Sequence, residues 1–230
     1  MYALPHHMDI LQSIKTESIT FETIKGKITA VGASKWTMNE KLTPITWDAP
    51  RDFTSASWKE AVRSALGSDY NYRASAGDPY FFGTQVGKMA RLALIADSLG
   101  ETDKANTIRS NIKSVLVPWL ENKNSDPLKY DQTWGGLCSN AGLNDGGADF
   151  GNGLYNDHHF HYGYHVYAAA VVGKKDSNFL NQYRSQILTY VRDYANPSSQ
   201  DPYFVVTRNK DWYNGHSWAS GVTEFGDNRN

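Results

Sequence analysis

The hydrophobic period of the sequence changes near residue 54, and this change limits the folds that the chain can adopt. Residues 18–38, SITFETIKGKITAVGASKWTM, alternate β-branched and polar side chains around a Lys25–Gly26 turn, which is typical of a two-stranded hairpin. From residue 54 onward, apolar residues recur at intervals of three and four, as on one face of an amphipathic helix. The sequence therefore predicts a β-rich segment over residues 1–50 and a mainly α region over residues 51–230.

Five helices are predicted in the second region. Gly67 and Gly100 are expected to end the first two, and Pro118 is expected to kink or shorten the last turn of the third. Residues 131–153 contain seven glycines and show no period, which predicts a long loop. Helical hairpins joined by loops that gather at one end indicate a helical toroid. The predicted helices cover about residues 54–67, 80–100, 103–122, 158–172 and 176–197, after an extended connector with Pro44 and Pro50.

Composition excludes some partners and favours others. The formal charge of −1 and the pI near 6.6 give no electrostatic basis for binding nucleic acid or an anionic membrane. No apolar run approaches the roughly 18 residues of a membrane span, residues 1–12 do not resemble a signal peptide, and the single Cys138 cannot form an internal disulfide. Seven Trp and fourteen Tyr favour carbohydrate contact modestly, because flat aromatic rings stack on the apolar faces of pyranose rings.

The densest chemistry lies in residues 154–167, LYNDHHFHYGYHVY. A helix beginning at Asp157 would put that carboxylate at the positive end of the helix dipole. Asp157, His161 and Tyr164 would then share one face, and His158, Tyr162 and His165 the neighbouring face. The segment could be a core helix with an Asp cap. Four histidines in eight residues favour a functional site, in which imidazoles bind sugar hydroxyls and hold the carboxylate.

A metal site is the main alternative interpretation of this segment. His158, His161 and His165 have helical ligand spacing, and Asp157 or Asp149 could complete the shell. The pattern is not the H-E-x-x-H arrangement, and no cysteine pair supports zinc. We therefore predict neither a metal nor a cofactor, and a metal-dependent hydrolase stays as an alternative.

Two further motifs combine carboxylates with aromatic residues. DWYNGHSWASG, residues 211–221, alternates polar side chains with indole rings, and KYDQTWGG, residues 129–136, has the same character. Each could be a turn anchored by an aromatic residue or the wall of a sugar subsite. The candidates in them are Asp211, Trp212, His216 and Trp218 in the first, and Tyr130, Asp131 and Trp134 in the second.

Several strings together resemble the glycoside hydrolase family 81 endo-β-1,3-glucanases of fungi and bacteria: YALPHH, DPYFFGTQVGKMARLALIADSLG, YDQTWGG, DFGNGLYNDHHFHYGYHVYAAA and GHSWASG. The resemblance covers most of the chain in order. It implies that residues 1–50 are the remnant of an N-terminal β-sandwich and linker, and that residues 51–230 are an incomplete (α/α)6 catalytic barrel. It implies internal hydrolysis of β-1,3-glucan with inversion, with an extracellular or cell-wall location, although an intracellular one stays open.

The resemblance also implies that Asp157 is the general acid. From the residues themselves, we predict that His159 and His161 bind hydroxyls or position the acid. The candidate sugar platforms are Tyr130, Trp134, Tyr162, Trp212 and Trp218, and the other predicted substrate-binding residues are Asp131, His158, Tyr164, Asp211 and His216.

The general base of the family is a glutamate in an Asn-Gln-Glu-Ser-x-Ser-Glu segment that follows GHSWASG. Here the interval reads VTEFGDNRN, so the resemblance implies that the base lies beyond Asn230, with Glu224 and Asp227 as weak candidates before it. These 230 residues alone are therefore expected to be poorly soluble and essentially inactive. A non-catalytic β-glucan-binding protein is the other alternative, and no oligomeric state is predicted.

Overall fold

The computed structural model describes residues 1–12, 15–41, 46, 51–52 and 54–223. The chain divides into two compact units, Met1–Arg51 and Asp52–Asn230. Most of the predicted connector, with Pro44 and Pro50, lies outside the described residues. Within the described part, no helix is sufficiently long and apolar to cross a membrane.

The first unit contains a small antiparallel sheet in the order β1-β3-β2. The predicted hairpin is confirmed: β2 (Thr16–Thr23) pairs with β3 (Gly26–Val31). The Thr23 hydroxyl donates to the Gly26 carbonyl at 2.8 Å, and Gly26 has φ of 98°, a conformation that a glycine adopts without strain. The short elements β1 (Tyr2–Ala3) and α1 (Pro5–Ile10) precede the hairpin.

The second unit is mainly helical, as predicted. Asp78 and Asp176 cap α3 and α7 by accepting from Phe81 N at 2.7 Å and from Phe179 N at 2.9 Å, which satisfies donors that a helix start leaves free. The five long helices are α2 (Ala56–Asp69), α3 (Pro79–Ser98), α4 (Thr102–Leu120), α6 (His158–Gly173) and α7 (Ser177–Ala195), with the short α5 (Asn140–Asn144) between them.

One predicted helix end was wrong. Helix α2 continues past Gly67 to Asp69, because a glycine within a helix lowers stability without preventing the helical conformation. Helix α4 continues past Pro118 and ends at Leu120 rather than Asn122, which agrees with the predicted shortening of its last turn. A proline so near the end of a helix removes a single backbone hydrogen bond.

The helices form two hairpins, α3–α4 and α6–α7, that meet where α3 packs against α6. Helix α6 is apolar on most of its surface and lies in the interior. Gly83 and Gly87 of α3 let the two helices approach, since a Cβ at either position would lie 3.1 Å from the ring of Tyr164. In the core, Phe82 stacks on Trp119 with ring centroids 4.4 Å apart. The (α/α)6 barrel itself stays a prediction.

The prediction of a long loop over residues 131–153 was wrong. The segment starts within a hairpin of β4 (Leu128–Asp131) and β5 (Gly136–Ser139), and α5 follows directly. Two 3-10 turns, Ala148–Phe150 and Asn152–Leu154, then lead to α6. A second small hairpin pairs β6 (Lys210–Asp211) with β7 (His216–Ser217).

Candidate active site

The chain before α6 has an unusual backbone. Four non-glycine residues there have left-handed φ values: Asp149 (50°), Phe150 (57°), Tyr155 (66°) and Asp157 (56°). Such conformations cost about 1–3 kcal/mol each and persist where surrounding contacts fix them, often at functional sites. Asp157 immediately precedes the helix, as predicted, but its carboxylate makes no capping hydrogen bond.

The carboxyl group of Asp157 is buried, with 8% of the residue exposed. The Asn156 side-chain amide donates to Asp157 Oδ2 at 3.1 Å, and the Asp157 N–H donates to the carbonyl of Ala219 at 2.8 Å. Burial raises the pKa of Asp157 above its usual value, against the smaller lowering effects of Asn156 and His158. A carboxyl group with a raised pKa retains its proton closer to neutral pH, which a general acid requires.

His161 anchors the backbone of the acid. Its Nδ1 lies 2.8 Å from the carbonyl oxygen of Asp157, and its Nε2 lies 2.9 Å from the carbonyl oxygen of Asp149. The side chain is fully buried, and burial lowers the pKa of His161 to about 4. His161 thus connects the two left-handed segments and faces no open space.

His158 and Tyr162 also lie in the interior. His158 Nδ1 lies 2.6 Å from Asp193 Oδ2, and His158 Nε2 lies 2.8 Å from the carbonyl oxygen of Asn152. The Tyr162 hydroxyl donates to the carbonyl of Leu137 at 2.9 Å. The polar atoms of His158, His161 and Tyr162 are therefore used inside the protein. For His161 this agrees with the predicted alternative of positioning the acid. Sugar binding by these three residues stays a prediction that their burial disfavours.

His159 and Tyr164 differ from these interior residues, because both are partly exposed. Burial lowers the pKa of His159 and raises that of Tyr164. No described group hydrogen-bonds to His159 Nδ1, and its ring packs beside the half-exposed Phe160 at 4.5 Å. His159 is the histidine of the cluster that is best placed to meet a substrate.

The motif of residues 129–136 divides into a structural carboxylate and exposed rings. Asp131 accepts from the Tyr155 hydroxyl at 2.9 Å and from Thr133 N at 2.8 Å. Trp134 is 50% exposed and Tyr130 is 40% exposed. Both rings line an open groove of about 720 Å³, together with Gln132, Thr133, Ser198, Tyr203, Phe204, Val205, Val206 and Arg208 among others.

The motif of residues 211–221 divides in the same way. Asp211 accepts from Asn214 N and Asn214 Nδ2, both at 2.8 Å, and from Trp218 Nε1 at 3.2 Å. These hydrogen bonds, led by that of the Asn214 side chain, lower the pKa of Asp211 to about 2. Trp212 and Trp218 stay more than half exposed, and the exposed ring of His216 contacts Trp218 at 4.6 Å. Asp211 therefore anchors the turn, and the indoles remain open to a ligand.

The histidine cluster does not have the geometry of a metal centre. His158 and His161 each have both ring nitrogens within hydrogen-bond distance of protein oxygens, and His165 Nδ1 lies 2.7 Å from the carbonyl oxygen of His161. Across the residues that the structure describes, no group of three or more His, Cys, Asp or Glu side chains is arranged to hold a metal ion.

Sequence reasoning missed three residues that support this site. Asp193 of α7 lies within hydrogen-bond distance of His158, with 2.6 Å between Asp193 Oδ2 and His158 Nδ1. The guanidinium of Arg208 lies 4.1 Å from the ring centroid of Tyr155. Asn152 accepts a hydrogen bond from Ser139 N at 2.6 Å. Asp193 lies on the apolar face of α7, three residues after Tyr190. Its position in the helical period could therefore have predicted that it is buried. Arg208 and Asn152 carry no such signal in the sequence.

Comparison with known proteins places the chain among the glycoside hydrolases. Residues 52–230 match the profile of the glycosyl hydrolase family 81 C-terminal domain, and residues 1–50 match that of the family 81 N-terminal domain. The chain belongs to glycoside hydrolase family 81, as the motifs predicted.

Individual relatives are longer than this chain. It is 35% identical, over its whole length, to 27% of a glucan endo-1,3-beta-D-glucosidase of Arthroderma benhamiae. It is 34% identical, over 99% of its length, to 24% of the primary septum glucan endo-1,3-beta-D-glucosidase of Schizosaccharomyces pombe. A solved mutant of a family 81 glycoside hydrolase from Clostridium thermocellum superimposes with a TM-score of 0.79 and 26% identity, over 99% of this chain and 32% of that one. The chain spans about a quarter to a third of these proteins.

Proposed function

We propose that the full-length protein hydrolyses internal linkages of β-1,3-glucan, with Asp157 as the general acid. The observation that carries the proposal is the buried Asp157 carboxyl group with its raised pKa, fixed by contacts on its side chain and on both of its backbone polar groups. The names of the relatives support the choice of substrate. We also propose that the protein acts outside the cell or at the cell wall.

The proposed mechanism inverts the anomeric configuration. Asp157 donates its proton to the glycosidic oxygen while a second carboxylate activates a water on the opposite face of the sugar, about 6.5–9.5 Å from the acid. We propose that the second carboxylate is a glutamate of the segment that follows GHSWASG in the family, and the proposal concerns the full-length protein. Glu224 and Asp227 lie outside the described residues.

Hydrolysis of laminarin by the purified full-length protein tests this function. We expect oligosaccharides of mixed length at early times, because an endo-acting enzyme cuts within the chain, and an α-configured new reducing end by ¹H NMR. A β-1,4-glucan is the matched control and should not be cut. Release of glucose alone, or a β-configured first product, would contradict the endo-acting or the inverting part of the proposal.

A glucan-binding protein without activity is the second candidate, and the exposed Trp134, Trp212 and Trp218 favour it equally. Affinity electrophoresis through a gel containing laminarin separates the two. Retardation without release of reducing sugar would favour binding, and retardation with release would favour hydrolysis.

Trp134→Ala is expected to raise the KM for laminarin about three- to tenfold with little change in kcat, because a lost aromatic stacking contact is worth about 0.5–1.5 kcal/mol. The loop should keep its shape, since Arg208 holds the backbone carbonyls of Trp134 at 2.9 Å and Gly135 at 2.8 Å. Trp58→Ala on α2, which removes a 65% exposed indole, is the control. Equal KM values for both variants would remove Trp134 from the subsite.

A further inference from the structure

A buried pair of side chains includes His158, the residue that follows the proposed acid in the chain. His158 and Asp193 are both fully buried, and His158 Nδ1 lies 2.6 Å from Asp193 Oδ2. The other carboxylate oxygen of Asp193 accepts from Leu137 N at 2.7 Å. The pair thus ties the first residue of α6 to α7 and to β5.

The hydrogen bonds of His158 fix the orientation of its ring. The carbonyl oxygen of Asn152, 2.8 Å from His158 Nε2, can only accept, so Nε2 is the donor in this hydrogen bond. Asp193, on the other side of the ring, accepts from Leu137 N with its second oxygen and is itself held in place. Both ring nitrogens of His158 are therefore engaged, and the ring cannot turn without breaking one of these contacts.

The same pair fixes the residues before Asp157. The ring of Tyr155 stacks on His158 with centroids 4.8 Å apart, and Arg208 covers the other side of Tyr155 at 4.1 Å. The carbonyl oxygen of Asn152 lies within hydrogen-bond distance of His158 Nε2. Asn152 begins the 3-10 turn that leads to Tyr155, one of the residues with a left-handed backbone. Displacing His158 would loosen the chain on both sides of the acid.

We propose that Asp193 is a positioning residue that acts through His158, holding the imidazole whose contacts fix the chain on both sides of Asp157. The proposal rests on the proposed role of Asp157 as the acid. Asp193 does not face the substrate, so a change there should act on turnover rather than on glucan binding.

Other titratable groups surround the pair. Arg208 is the adjacent cation, with Nε 3.4 Å from the Asp193 carbonyl oxygen, and Asp131 is held by Tyr155. Burial raises the pKa of Cys138 and of Tyr194 to about 12 and lowers that of His161 to about 4. Burial also raises the pKa of Tyr155, Tyr162 and Tyr190, and that of Asp149. The tyrosines, the thiol and His161 are therefore uncharged near neutral pH.

Asp193→Asn in the full-length protein tests the proposal. The amide keeps the size of the side chain and weakens the 2.6 Å contact between Asp193 Oδ2 and His158 Nδ1. We expect kcat on laminarin to fall about 10- to 100-fold, a part of the contribution of general acid catalysis, with KM changed less than about threefold. His158→Gln should give the same loss of kcat with the same small change in KM, and the double variant should add little, because both residues act through one contact.

Asp97→Asn is the matched control, since Asp97 pairs with Arg109 between α3 and α4, and it should change neither kcat nor KM. A purely structural role for Asp193 would change KM together with kcat, or would make the losses of the two single variants add in the double variant, and either result would overturn the proposal. Nitrogen-15 NMR of histidine-labelled full-length protein, with the signal assigned by its loss in His158→Gln, gives an independent measurement. A His158 signal without a hydrogen bond at Nδ1 would also overturn the proposal, even if Asp193→Asn fails to fold. Retained turnover in Asp157→Asn would instead refute the proposed acid and leave the hydrogen bonds of His158 measurable.

Discussion

Asp157→Asn in the full-length protein is expected to lower kcat on laminarin by about 10²- to 10⁴-fold, the usual contribution of a general acid. The amide keeps the shape of the side chain and leaves the backbone bond from Asp157 N to Ala219 in place, but it has no acidic proton to donate. KM should change little, because the carboxyl group that is replaced protonates the glycosidic oxygen during cleavage rather than binding the substrate. Initial rates across a range of laminarin concentrations give both constants.

The chemical role of Asp157 can be separated from simple damage with a second substrate. In an aryl β-1,3-oligoglucoside with a strongly acidic phenol, the phenolate leaves without needing a proton from the enzyme. The variant should therefore lose much less activity on this substrate than on laminarin. Asp103→Asn, an exposed position in the first turn of α4, is the control and should behave as wild type on both. Equal losses on both substrates would show that Asp157 is not the proton donor.

The same substitution makes a prediction about stability. Burial raises the pKa of Asp157, so the folded state binds this proton more tightly than the unfolded state does. The carboxyl group of the wild type therefore favours folding at low pH, and this advantage is lost as the pH rises through the raised pKa. The melting temperature of Asp157→Asn relative to wild type should rise over that window. A difference that does not change with pH would contradict the raised pKa.

The sequence predicted the long helices well because each contains several turns of regular spacing. It could not predict the elements between β4 and α6, since none exceeds five residues and a period cannot be recognised in so few. Those elements are defined by contacts between distant residues, such as the bond from Ser139 N to Asn152 Oδ1. The glycines there predicted a long loop, whereas in the structure they permit tight turns and the close approach of Gly142 and Gly153.

The candidate site was predictable in position but not in detail. The concentration of histidine and tyrosine identified the segment around Asp157. It could not distinguish His158 and His161, which are fully buried, from His159, which is partly exposed, because that division depends on α7 and on the turn at Asp149. Likewise, Asp211 and Trp212 are neighbours in one motif, and only the folded hairpin shows that the first anchors the turn while the second is exposed.

Gly153→Ala is expected to lower the free energy of unfolding by about 3 kcal/mol, the upper range for forcing atoms into a packed site. A Cβ at residue 153 would lie 1.9 Å from the carbonyl oxygen of Gly142, so the turn and α5 would have to separate. This separation would also move Asn152, whose carbonyl oxygen lies within hydrogen-bond distance of His158 Nε2. Thermal unfolding measured by calorimetry should show this loss as a lower melting temperature of the variant than of the wild type.

Gly67→Ala provides the opposite case with the same chemical change. Gly67 lies exposed within α2, and nothing lies within 4 Å of its added Cβ, so alanine should stabilise by roughly 0.5–1 kcal/mol through its higher helix propensity. If both variants melted within about 1 °C of the wild type, the close packing of Gly153 against Gly142 would be refuted. Gly153→Ala alone could lose both stability and turnover. That result would show that the turn positions Asp157 as well as stabilising the folded state, because Asn152 in the turn contacts His158, the residue after Asp157.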